Sequence, residues 1–65
     1  MVQRNLDYRL LKDRRNEYGI SQNKLATACG LSRPYLNQIE NGGVTASTKT
    51  MRKIFNQLES FNPDL

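Results

Sequence analysis

Apolar residues recur along the chain at helical spacing, in blocks separated by glycines. The first block, from about Leu6 to Tyr18, puts Leu6, Leu10, Leu11 and Tyr18 near one face, with Arg, Lys, Asp and Glu opposite. Gly19 predicts its end, as a glycine past the last turn commonly does. Ser21 is a good N-cap for a second block that carries Leu25, Ala26, Ala28 and Cys29. Gly30 stops it after barely two turns. Leu31 follows, and Ser32 caps a third helix running to about Asn41, with Leu36 and Ile39 inward. Pro34 is tolerated there, because the first turn of a helix has no intrahelical partner for its amide.

The stretch 41–46 reads as a loop by Gly42 and Gly43. A fourth helix starts near Ser47 or Thr48 and carries Met51, Ile54, Phe55 and Leu58 as its apolar stripe. No alternating pattern lasts long enough for a strand, so the predicted fold is all-α. The tail Asn62-Pro63-Asp64 reads as an N-cap, a first-turn proline and an acid on the positive end of a helix dipole. It predicts the start of a fifth helix one residue before Leu65, and with it a module at the front of a longer protein. The alternative is a disordered polar terminus.

The length of 65 residues allows one domain, 1–65. A chain of this size buries only about 60% of its unfolded surface, so its stability is marginal. One cysteine and no histidine exclude an internal disulfide and a structural zinc set, which leaves helix packing as the stabiliser. No metal, cofactor or small-molecule ligand is expected. Ten Lys and Arg against six Asp and Glu give a net charge of +4, which favours a nucleic acid or other anionic partner, or else marks a solvated basic face. The opening Met1-Val2-Gln3-Arg4-Asn5 lacks the apolar core of a signal peptide, and there is no membrane-length apolar run, so a cytoplasmic protein without membrane contact is expected. Enzyme chemistry is not expected, since the usual acid–base groups are missing.

The motif that carries function lies between Gln22 and Asn41. Two short helices joined by a tight turn at Gly30 and Leu31 need a small residue where they cross, here Ala26, and a glycine able to turn the chain. Leu25, Cys29, Leu31, Leu36 and Ile39 then share one core. The string Ser21-Gln22-x-x-Leu25-Ala26-x-x-x-Gly30-Leu31-Ser32-x-x-x-Leu36-x-x-Ile39-Glu40-x-Gly42 resembles the Cro and phage-repressor (XRE) helix-turn-helix family. The resemblance extends to Ser47-x-x-x-Met51-x-x-Ile54 and covers roughly residues 6 to 60.

That resemblance implies a lambda-repressor-like four-helix domain whose third helix lies in the major groove of double-stranded DNA. Its outward positions are Arg33, Pro34, Tyr35, Asn37 and Gln38. Arg33 matches a guanine and Gln38 an adenine by their donor–acceptor forks; Tyr35 is set either against a thymine methyl or toward a phosphate. The family's glutamine at the start of the second helix, here Gln22, touches phosphate and braces the reading helix. Asn41, Thr45, Lys49 and Arg52 extend the expected phosphate contacts, which position the domain without reading sequence. Family members pair the acid at Glu40 with an arginine of the first helix, here Arg15, which implies a structural pair outside the DNA contacts. Cys29 falls on the inward face and reads as a buried, inert thiol.

For the larger role, three readings stand. The first is a stand-alone transcriptional repressor, as most family members are. The second rests on Tyr8-Arg9-Leu10-Leu11-Lys12-Asp13-Arg14-Arg15 and Leu58-Glu59-Ser60-Phe61-Asn62-Pro63-Asp64, which look like the N-terminus of MobT-type relaxases of integrative and conjugative elements. It implies a domain that targets a nicking enzyme to an origin of transfer, and it is the favoured reading. The third is a protein-interaction module, against which Arg33, Asn37 and Gln38 argue. Nicking by this chain itself is not expected, because none of Tyr8, Tyr18 and Tyr35 has an activating histidine or acidic metal cluster beside it. As a fragment it is expected to be a monomer with weak, micromolar affinity.

Overall fold

The computed structural model describes residues 7–64 and contains four helices, α1 (Tyr8–Glu17), α2 (Gln22–Cys29), α3 (Arg33–Glu40) and α4 (Thr48–Glu59). Three begin at a serine whose hydroxyl accepts a backbone N–H three residues on: Ser21 from Lys24, Ser32 from Tyr35, and Ser47 from Thr50. These bonds satisfy donors that the first turn of a helix leaves unpaired. The fourth cap differs from the sequence reading. Asp7 caps α1 by accepting from the Arg9 N–H, so the helix starts at Tyr8. Leu6 lies outside the described residues.

Gly30 takes φ 71°, where a β-carbon costs energy, and its neighbour's N–H then reaches back from Leu31 to the Ala26 carbonyl at 2.9 Å. This closes α2 and turns the chain directly into the Ser32 cap. Gly42 at φ 76° opens the loop from α3 to α4, and a β-carbon there would lie 2.8 Å from the Tyr8 hydroxyl. The glycine therefore lets the first residue of α1 rest on the loop that leaves α3.

Both α3 and α4 pack against α1 and α2. Leu11, Leu25, Leu36, Ile39, Ile54 and Leu58 are fully buried between them, with Ala26 and Cys29. Each such aliphatic side chain contributes roughly 1.5–3 kcal/mol of burial. Ala28 points outward, while Leu31 and Phe55 pack only partly against the core. Tyr18 does likewise, and its hydroxyl donates to Glu59, which also accepts from Arg14 at 2.8 Å. The α1 and α4 C-termini are joined there. At the tail, Asn62 Oδ1 accepts from the Asp64 N–H, the bond an N-cap makes, and the chain passes through Asp64 as a turn.

One polar pair crosses this core. Arg15 Nε donates to Glu40 Oε2 at 3.0 Å and its Nη2 to Oε1 at 3.1 Å; Nη1 donates to the Ile20 carbonyl at 3.0 Å. The fork is bidentate, and the Glu40 carboxylate is wholly buried. Replacing Glu40 by Ala strands a buried guanidinium and is expected to cost roughly 3–5 kcal/mol. A chain of this length is held by only about 3–10 kcal/mol, so urea denaturation will find the variant largely unfolded or nearly so. Arg15→Met with Glu40→Leu, which removes both charges, is expected to cost less than either single replacement; additive losses would show that the ions do not act as a pair.

Candidate nucleic-acid interface

Helix α3 is eight residues long, with one side given to the core through Leu36, Ile39 and Glu40. Its other positions, Arg33, Pro34, Tyr35, Asn37 and Gln38, are all exposed. Tyr35 is one of the large apolar side chains left in solvent, at 36% exposure. Such a convex row of polar and aromatic groups is suited to entering a groove rather than enclosing a small molecule.

The row is braced from behind by α2. Gln22 Nε2 donates to Glu40 Oε1 at 3.1 Å and to Asn37 Oδ1 at 3.0 Å, and Asn41 Nδ2 also donates to Asn37 Oδ1 at 3.3 Å. Gln22, Asn37 and Asn41 therefore form a single hydrogen-bonded chain anchored on the buried ion pair. Both amide hydrogens of Gln22 are committed inside it. In this arrangement only the Gln22 side-chain oxygen, an acceptor, is left without a partner in the described residues. Donors at this point are the backbone N–H groups that open α2 and the Arg33 guanidinium, which shares a surface groove with Arg15, Ser21, Gln22 and Asn23.

The other expected phosphate contacts fall in two places. Lys49 and Arg52 line a groove along α4 with Thr50, Lys53, Asn56 and Gln57. Thr45 is exposed but separate from them, at a cleft of about 190 Å³ beside Tyr8, Gly42 and Met51. Lys53 was missed in the sequence reading, although it stands beside Arg52. The signal that finds it is charge segregation. Between Tyr18 and Leu58 the only acid is Glu40, against Lys24, Arg33, Lys49, Arg52 and Lys53. Glu40 is buried and spent on Arg15, so the exposed charges of α2, α3 and α4 up to Leu58 are all positive. The remaining acids lie on α1, at its cap and at the tail end, where Asp7 holds Arg9 and Glu59 holds Arg14.

Two capped helices set across a glycine turn, with the second presenting an exposed polar row that includes Arg33, define a DNA-binding helix-turn-helix domain. The helix-turn-helix family model matches residues 11–63, and the chain belongs to that family, a DNA-binding family of the XRE regulator type. Among curated proteins it is similar to the ImmF control region 10 kDa protein of Bacillus phage phi105, with 49% identity over 45 residues. That match takes in 69% of this chain and 50% of the phage protein, so the chain spans about half the length of that relative. No solved structure matches.

Cys29 faces the core between α2 and its neighbours at 1% exposure, and burial pushes its thiol pKa up. The nucleophilic thiolate is thereby disfavoured twice, by protonation and by access. Native protein at pH 8 is expected to leave Ellman's reagent nearly unreacted over minutes and to titrate one thiol at once in denaturant. Prompt reaction of the folded protein would reopen a redox role.

Proposed function

We propose that this chain binds double-stranded DNA sequence-specifically, with α3 in the major groove, as the DNA-reading part of a regulator that acts at a control region. The observation that carries this is the exposed row Arg33, Tyr35, Asn37 and Gln38 on α3, with Asn37 tied through Gln22 to the buried Arg15–Glu40 pair and with no exposed acid on α2, α3 or α4 before Glu59. Arg33 is the base reader for guanine and Gln38 for adenine, because their forks fit those edges. Pro34 and Tyr35 supply apolar contact at the groove. Lys49, Arg52, Lys53, Thr45 and the backbone at Gln22 hold phosphates, with the free hydrogen of the Asn41 amide. The control-region name of the phage relative supports the regulatory half of the reading.

A second reading keeps the same DNA contacts but attaches them to a MobT-type relaxase at an origin of transfer. It rests on the flanking strings 8–15 and 58–64 and on no other observation. Both readings give the chain no catalytic step of its own.

Selection of bound duplexes from a random pool tests the reading. A palindrome with half-sites about one helical turn apart, found in promoters, supports the regulator; an asymmetric motif beside a transfer origin supports the relaxase module. No enrichment at low salt sinks base-specific binding altogether. Arg33→Ala is expected to lose about 1–3 kcal/mol on the selected site and much less on scrambled DNA. Lys49→Ala is expected to weaken both alike and to flatten the slope of log affinity against log salt by about one. Equal losses from the two variants on both DNAs would refute this division of roles.

A further inference from the structure

Asn37 is the side chain whose chemistry the surrounding bonds alter most. A free asparagine presents an oxygen and an amino group together, the pair that fits adenine through N6 and N7. Here that choice is made from inside. Glu40 is a carboxylate held by Arg15, so it accepts only, and the Gln22 atom 3.1 Å from its Oε1 must be the amino nitrogen. The same nitrogen stands 3.0 Å from Asn37, so the Asn37 atom facing it must be the oxygen. Asn41 Nδ2, at 3.3 Å, takes up the same oxygen. Polarity thus passes outward from the buried ion pair through two amides, and neither can flip without setting a donor against a donor or an acceptor against an acceptor.

We infer that Asn37 is a specificity-determining residue presented to DNA as a donor only, through Nδ2, and that it selects a base edge of acceptors instead of adenine. Guanine meets it with N7 and O6, and thymine with O4. Adenine offers N7 but sets its own N6 amino group against the same donor, and cytosine offers only an amino group. Gln22 is the positioning residue for this choice. This inference rests on the proposed major-groove reading and narrows it at one position.

The test compares duplex pools selected by the wild-type chain, by Asn37→Ala and by Gln22→Met, with circular dichroism melts of each protein. Gln22 is half-exposed, and its removal leaves the Arg15–Glu40 bonds in place; Gln22→Ala serves as a second variant. Asn37→Ala is expected to make one base position indifferent, which identifies the position Asn37 reads. There the wild-type chain is expected to prefer guanine or thymine over adenine by about five- to tenfold, the worth of one hydrogen bond. Gln22→Met frees the Asn37 amide to turn and is expected to bring adenine up to parity at that position alone. Adenine preferred by the wild type, an unchanged Gln22→Met preference, or an Asn37→Ala pool identical to wild type overturns this inference while leaving the DNA-binding reading intact. A wild-type pool with no enrichment overturns both.

Discussion

The Arg15–Glu40 pair is the constraint around which the domain is arranged. Two ions leave water in a molecule with little core to spare, and only a bidentate fork with the Ile20 carbonyl as third acceptor satisfies them. The geometry this demands fixes α1 against α3 and ties both to the segment that leads into α2. A purely apolar contact between the same helices would tolerate sliding; a fork of directed hydrogen bonds does not. Gln22 adds α2 to the same node, so three helices meet in one hydrogen-bonded cluster.

This matters because the helices are short. Segments of eight residues such as α2 and α3 are not stable alone in water, and their form depends on caps and on packing. Serine caps at Ser21, Ser32 and Ser47 start them, Gly30 turns the chain between them, and burial of Leu25, Leu36, Ile39 and Ile54 holds them together. Asn37, in the exposed row of α3, is then held from beneath. A side chain that reads a base edge gains selectivity when its orientation is settled before contact, since less freedom is lost on binding and a wrong edge cannot be accommodated by rotation.

Charge is distributed to match. Glu40, the sole acid between Tyr18 and Leu58, is withdrawn into the core, and the other acids sit on α1, at its cap and at the tail end. The exposed charges of α2, α3 and α4 up to Leu58 are therefore all positive, while the acids elsewhere keep the molecule near a modest net charge. Positive charge of this kind raises affinity for a polyanion and the speed of encounter without reading sequence.

Most of the architecture was legible in the residues themselves. Serines before apolar blocks and glycines after them mark helix ends through local chemistry, so α2, α3 and α4 fall where the pattern puts them; α1 starts at Tyr8, two residues beyond the expected Leu6, because its cap is the acidic Asp7. The outward row of α3 was equally legible, since helical spacing alone decides which positions can face the core. What the chain could not reveal by pattern is how groups distant in sequence use one another's hydrogen bonds. Gln22 and Asn37 stand fifteen residues apart, and only their approach in the folded molecule commits the two hydrogens of one amide and the oxygen of the other. Local chemistry determined the helices, the turn and the outward face of α3. Tertiary packing decided which atoms on that face remain free, because a hydrogen-bonding group has a fixed number of partners and the fold uses some of them first.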